Sequence, residues 1–598
     1  MAVKYRIDIT LKYDVLIIGA GGGGLRCASA ILEKAPETKV LAVTKVSHCQ
    51  KSHTSTAQGG LSAVDPADTD DKAIYQMFDT WKGSDCSADQ NVIKKIIDAS
   101  WEQIVWLEKN GMHFTRNEKG VFSRRNFGGH TVRFGDAPAN RAVFEADRSG
   151  KGMIDAAWGI SVKNKCSFMN QSVVTELLFK DNRCVGAILF NQKKGEFVCV
   201  LAKATVISTG GFGQIYQIST NCRQNTGDGL AIVLEAGIPL MDMEAVQFHP
   251  TGILGPGICA SETLRTVGGI LRNKKLEPFM EKYAPKMKDL APRDLVSRAI
   301  ETEIREGRGI LDPNYNISHV WLDLTHLPNK VHDEQVPEVE GFFKKFVNID
   351  PKTALCPVRP SVHYQMGGIQ TNENGEVQRI SNEIVPGLFA LGECASASFQ
   401  GFNRLGSHSL LELITMGKYV GEKIIETISN NSYEMPKDAG DKTFFKISQF
   451  SRNRKKSNYG EILTQLQTTM TEQVGVFRTE EGISTAIEKI KELYETTQNG
   501  GLSSNCLIMN PEIMQRLELE NILHVSMVIA YCALNRRETR GAHARVDFPK
   551  RKDEFNHHTL AKMDHFGDIS LGERTINMDI FKARGEYYNK FDYIERKY

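Results

Sequence analysis

The chain has 598 residues, 41% hydrophobic and 24% charged, which excludes wholesale disorder and suggests about three to five domains. Lys plus Arg is 74 against 72 Asp plus Glu, so the formal charge is +2 and nothing points to nucleic acid as a partner. Twelve cysteines without a C-x-x-C pair argue against a disulfide scaffold or a metal or cluster site; free thiols in a reducing compartment are expected.

Residues 13–19, YDVLIIG, read as a buried parallel strand that runs into GAGGGG. Gly19, Gly21 and Gly24 satisfy G-x-G-x-x-G, a helical stretch through Leu25, Ala28 and Ile31 follows, and a second strand is predicted over 39–43. In that βαβ context the glycines let backbone N–H groups and a helix N-terminus approach a pyrophosphate. The second strand ends in Thr44 and Lys45 instead of an acidic residue, which weakens a plain NAD reading and leaves room for FAD. Residues 89–109 carry Val92, Ile93, Ile96, Ile97, Trp101, Ile104 and Val105 at helical spacing, predicting one amphipathic helix.

A further strand over 204–209 ends in Gly210, Gly211 and Gly213, and a third cluster of motifs lies within 361–410. If all three serve one ligand, the nucleotide domain is discontinuous and residues 245–360 form a separate lobe. Residues 430–443 read as a linker, and helical periodicity resumes over 444–535. Within it Arg452, Arg454, Lys455 and Lys456 form a solvated face or a docking patch. The best apolar run, residues 522–534, is interrupted by His524 and Ser526 and is too short for a membrane helix. The N-terminal residues show no export signal.

Four features could carry chemistry. They are His53 in KSHTSTAQGG, Asp228 in NTGDGL, Glu393 in GLFALGECA, and a set comprising His249, Glu262, Arg265, Arg293, His363 and Arg404. Three Arg and two His could clamp an anionic substrate, because guanidinium groups match carboxylates bidentately. Each residue alone also has a plain structural reading: a loop His, a turn Asp, a salt bridge or a cap.

Together these strings resemble the flavoprotein subunit of succinate dehydrogenase/fumarate reductase. SHTSTAQGG, NTGDGL, EAVQFHPTG, APRDLVSR, HYQMGGI, GLFALGECA, GFNRLGSHSL and RETRGAHARVDFP occur in order. The resemblance implies an α/β fold with a discontinuous Rossmann-like FAD-binding domain (1–244 and 361–425). It further implies an inserted α+β capping domain (245–360), a helical domain (440–540) and a small C-terminal domain (541–598). It implies FAD attached covalently through His53. Gly19, Ala20, Gly21, Gly22, Gly23, Gly24, Thr44, Lys45, Ser52, Thr54, Gln58, Gly59, Gly60, Asp228, Glu393, Ser409 and Leu410 are then FAD contacts. His249, Ser261, His363 and Arg404 match a dicarboxylate clamp, Arg293 the residue that exchanges a proton with substrate, and Glu262 and Arg265 its relay.

It also implies partners: an iron–sulfur subunit and a membrane-associated or membrane-anchor quinone-reactive subunit. The expected location is peripheral, on the cytoplasmic side of the inner membrane, or the matrix side in a mitochondrion. These residues do not set the working direction, succinate oxidation or fumarate reduction. The sequence departs from the family in three places. Arg265 is followed by Thr266, Val267 and Gly268 where R-G-E/D-G-G is usual, Ser261 replaces Thr, and His408 replaces Asn beside the flavin segment. A soluble L-aspartate oxidase-type flavoenzyme and a low-turnover flavin-binding assembly subunit are the alternatives; His53 disfavours the first and the retained clamp the second.

Overall fold

The computed structural model describes residues 5–452, 457–564, 567–582 and 588–594. The first strand, Ile9–Ile18, starts earlier than predicted because Ile9 to Tyr13 already pair in parallel with Val198 to Ala202. Helix Gly22–Lys34 and strand Val40–Val43 complete the βαβ unit. The parallel part of the main sheet runs Ile384–Ala390, Glu196–Ile207, Ile9–Ile18, Val40–Val43, Ser167–Met169. Val15, Leu16, Ile17 and Ile18 are buried, as expected of a strand covered on both faces.

Strand Ile384–Ala390 returns the chain to this sheet: Leu388, Phe389 and Ala390 lie beside Thr205, Val206 and Ile207. Between the two visits the chain builds an antiparallel sheet in the order Val246–Ile253, Cys356–Gln365, Ile317–Asp323, Ile270–Arg272. Leu264, Val296, Ile300, Val320, Leu322 and Phe343 form a hydrophobic cluster of its own beneath that sheet. This excursion thus carries the independent core that a lobe needs.

Several expectations need correction. Residues 89–109 form two helices, Gln90–Asp98 and Ser100–Lys109. The first buries Val92, Ile93, Ile96 and Ile97 in one hydrophobic cluster, and the second buries Ile104 and Leu107 in another. One straight helix could not face both, so the chain turns at Ala99. The apolar run 522–534 belongs to a 25-residue helix, Pro511–Asn535, which is long and apolar enough to cross a membrane. Its most apolar stretch is 67% buried within the protein, where it packs on Glu480–Gln498 and Asp228–Glu235. The linker is anchored: Gly440 and Thr443 donate their N–H groups to Glu176. In the basic run, Arg454, Lys455 and Lys456 lie outside the described residues.

Helices Tyr459–Gln473, Glu480–Gln498 and Pro511–Asn535 share one hydrophobic cluster with the main sheet. The tail contributes a hairpin, His557–Met563 with Ile569–Thr575, to a second sheet that includes Leu240–Met241, Gly368–Gln370 and Ala395–Ser396. The last strands therefore complete a sheet begun much earlier in the chain.

Candidate active site

A cavity of about 650 Å³ opens between the carboxyl ends of the parallel strands and the excursion. Such a crevice is where open α/β sheets bind ligands. Gly19 makes it possible: its φ is +112° and a Cβ there would stand 2.2 Å from the Ser208 carbonyl oxygen. The N-cap of helix Gly22–Lys34 is Gly21, which has no side chain to cap it; the Gly22 N–H donates to Thr54 Oγ1 at 3.3 Å, and the next N–H groups of the first turn face no side-chain cap and can meet an anion.

Of the residues expected to contact FAD, all except Gly24 line this cavity. Gly24 sits behind the loop, where a Cβ would meet the Gly19 carbonyl oxygen at 2.1 Å, so its role is close packing. Ser52 Oγ, Gln58 Oε1, Thr209 Oγ1, Asn225 Nδ2 and Ser407 Oγ are buried cavity-lining atoms without a hydrogen-bond partner. Buried polar groups are seldom left unpaired, so this row of orphans fits a long polar ligand such as FAD.

Lys45 is held by Asp228 at 2.7 Å, Glu518 at 2.8 Å and Thr226 at 2.6 Å. Asn521 Nδ2 donates to the second oxygen of Asp228 at 3.0 Å. Glu518 and Asn521 were missed in the sequence, because they lie almost 300 residues or more from their partners and carry no local signature. His53 is half-buried on the cavity wall. Its Nδ1 accepts the Cys222 N–H at 3.4 Å, and Asn221 Nδ2 stands 3.3 Å from its Nε2. Burial, helped by Arg404, lowers its pKa to about 4, so the ring is neutral and its lone pair is available for bonding. Asn221 also donates to the His363 carbonyl at 2.9 Å, tying this loop to the clamp.

The residues expected to form the clamp meet in the same cavity, which His249, Ser261, Glu262, Arg293, His363 and Arg404 all line. Arg293 opens helix Arg293–Glu303 and donates from Nε to Glu262 at 2.9 Å and from Nη1 to Gln247 at 3.3 Å. Burial alone would raise the Glu262 pKa, but the Arg293 and Arg265 guanidinium groups lower it to about 2. Its other oxygen accepts the Gly128 N–H at 3.1 Å. His249 accepts the Thr251 N–H on Nδ1, which places its proton on Nε2; that atom is buried without a partner. The rings of His249 and His363 are 5.0 Å apart. Burial first, then Arg293, holds both pKa values well below the ordinary histidine value, so both are neutral donors. Arg404 lies over the Tyr364 ring at 4.4 Å and donates to Ser409 at 3.0 Å, with Nε unpartnered.

Two residues fall elsewhere. Arg265 does not line the cavity; it lies behind Glu262, bonded to the Asp289 backbone carbonyl. His408, which replaces Asn beside the flavin segment, does not line the cavity. It is fully buried against His130 and Phe399, with ring separations of 5.2 and 5.3 Å.

Residues 14–410 match the family model for an FAD binding domain, and residues 463–598 that for the fumarate reductase flavoprotein C-terminus. A succinate dehydrogenase flavoprotein subunit from Rickettsia bellii is 37% identical over 586 residues, covering 97% of each chain. The chain belongs to the succinate dehydrogenase/fumarate reductase flavoprotein family. The fumarate reductase flavoprotein subunit of Escherichia coli is 34% identical, covering 94% of this chain and 93% of that one. A solved quinol fumarate reductase from Escherichia coli superposes with a TM-score of 0.90 at 33% identity, over 95% of this chain and 97% of that one. The Sdh1 complex of Mycobacterium smegmatis gives 0.84 at 29%, over 98% and 97%. FAD is the cofactor of this family member, and neither alternative reading is favoured by these relatives.

Proposed function

We propose that this protein is the catalytic flavoprotein subunit that interconverts succinate and fumarate. The observation that carries the reading is one cleft that joins an FAD-shaped row of glycines and orphaned polar atoms to a buried Arg293–Glu262 pair, two neutral histidines and Arg404. FAD, when bound, supplies hydride chemistry.

The chain's own residues do the rest. Arg404 and the Nε2–H of His249 bind the carboxylates of a four-carbon diacid, with His363 and Ser261 beside them. Fixing both ends orients the reacting carbon, which removes much of the entropic barrier. Cationic groups at the carboxylate next to the reacting alkene stabilise developing enolate-like charge in a dry site. Arg293 gives the proton to the carbon in fumarate reduction and takes it back in succinate oxidation. Glu262, held anionic by its cations, keeps Arg293 aimed and restores its proton. The excursion 245–360 acts as the cap that closes over the substrate.

His53 would anchor the flavin covalently: it lines the cavity, and its Nδ1 accepts the Cys222 N–H, as the Nδ1 of an Nε2-alkylated imidazole would. Electrons then pass to or from an iron–sulfur subunit and a quinone-reactive membrane subunit, with this chain peripheral on the cytoplasmic or matrix face. The deciding experiment is in-gel flavin fluorescence after denaturation. Fluorescence migrates with the wild-type chain and is lost in His53→Ala; flavin released from the wild type would turn the assignment toward a soluble oxidase.

A further inference from the structure

Arg265 is 2% exposed; among the described residues its Nε and Nη2 have no hydrogen-bond partner, and the Asp289 backbone carbonyl is its one anchor. A buried guanidinium needs anions nearby. Glu262 is the strongest negative charge acting on it and Asp289 is the next; Arg265 is in turn the principal cation acting on Asp289. Val267, where the family motif carries a carboxylate, is half-buried against the cap core and offers no charge.

Asp289 has what a point of proton exchange needs. It is half-buried between exposed Lys288 and Leu290, so its carboxylate can meet water, while its backbone carbonyl holds the Arg265 guanidinium close by; the two side chains form no direct ion pair, so a proton passes between them through a bridging water. The Leu271 N–H, 2.9 Å from Oδ1, fixes the carboxylate, and burial pushes its pKa up from the ordinary aspartate value. Its loop presses on Gly128, where a Cβ would stand 3.0 Å from the Leu290 carbonyl, while Gly128 N–H binds Glu262. Asp289 also leads directly into helix Arg293–Glu303. Asp289, Arg265, Glu262 and Arg293 therefore all sit on the excursion and keep their order however it moves against the main sheet.

We propose that Asp289 is the outer proton exchanger of this site, carrying protons between solvent and Arg265 in place of a carboxylate at residue 267. The proposal rests on the succinate/fumarate reading above. In the reducing direction Arg293 gives one proton to the carbon whose neighbour receives the hydride. Glu262 restores Arg293, Arg265 restores Glu262, Asp289 restores Arg265 and water restores Asp289. Each group ends as it began and one proton is consumed; succinate oxidation runs the same chain outward. Asp289 touches no substrate, so it is a positioning and proton-supply residue.

The test is steady-state fumarate reduction by the FAD-loaded protein with a reduced viologen dye as donor. Asp289→Ala lowers kcat about 10- to 100-fold with flavin content and KM unchanged, the scale of a lost proton-transfer group. In that variant kcat rises with the concentration of a small buffer acid such as imidazolium, whereas the wild type is insensitive. Asp289→Glu recovers most of the wild-type rate. A kcat for Asp289→Ala near that of the wild type overturns the proposal. So does a loss that neither buffer nor Glu relieves, which marks damaged packing. A wild type that turns over neither diacid instead overturns the parent reading, so the two failures are distinct.

Discussion

Arg404 shows how the site is tuned at the scale of one side chain. It has no carboxylate partner of its own; burial and the neighbouring Arg293 lower its pKa to about 9. A guanidinium left so short of counter-charge binds an incoming carboxylate strongly, because the ligand repairs an electrostatic deficit already incurred. Arg293 differs in that Glu262 already pairs with it at 2.9 Å, so its guanidinium is aimed by a carboxylate of the protein and does not wait for one from a ligand. Arg293→Ala should therefore abolish turnover, by about 10²-fold or more, while flavin content stays at the wild-type level. Near-normal activity in that variant would remove Arg293 from the proton-donor role. Glu262 adds a pH signature. Its pKa falls from 4.5 to about 2, so its stabilising contribution is complete above about pH 4.5 and is lost as pH falls toward 2.

At the scale of elements, the glycine loop is the most constrained joint. Gly19 takes a left-handed φ and abuts the Ser208 carbonyl, so Gly19→Ala strains the backbone and forces the first strand away from Glu196–Ile207. The expected result is a protein purified without flavin yet with a near-native circular dichroism spectrum; full flavin occupancy would contradict it. Helix Pro511–Asn535 is tied to the same end of the cavity by Glu518 and Asn521. That contact explains why an apolar helix of this length is an interior element: it spends its apolar faces on the main core.

For the molecule as a whole, a buried ionic cluster locks the C-terminal hairpin to segments around Asp89 and Asp242. His558 lies between Asp242 at 2.6 Å and Asp89 at 3.3 Å, and Arg574 holds Asp89 at 2.6 Å. The two carboxylates raise the His558 pKa against the effect of burial, and His558 lowers theirs. The sign follows from linkage: the histidine contribution is complete below about pH 6.5 and is lost as pH rises through the raised value, while the aspartate contributions are complete above about pH 3.9. His558→Gln should thus cost about 3–5 kcal/mol between about pH 4 and 6.5, with a smaller cost on either side. Urea unfolding across that range measures it, and a pH-independent cost would show that the imidazole is uncharged. Neutral His53, His249 and His363 act in the opposite sense and weaken the fold as pH falls below 6.5.

The sequence by itself determined the βαβ unit and the ordered motifs. Strand and glycine signals are local: β-branched runs and φ-permissive residues act within a few positions. The same locality explains the family likeness, since each motif is a short loop that must keep its own shape. Tertiary structure alone decided what depends on contacts across hundreds of residues. It broke the helix at Ala99 to serve two cores, buried the helix at 511–535, moved His408 away from the cavity, and set Asn221, Glu518 and Asp289 beside residues they could not be paired with on paper. Side-chain electrostatics and packing between distant segments leave no periodic trace along the chain, so only the folded arrangement reveals them.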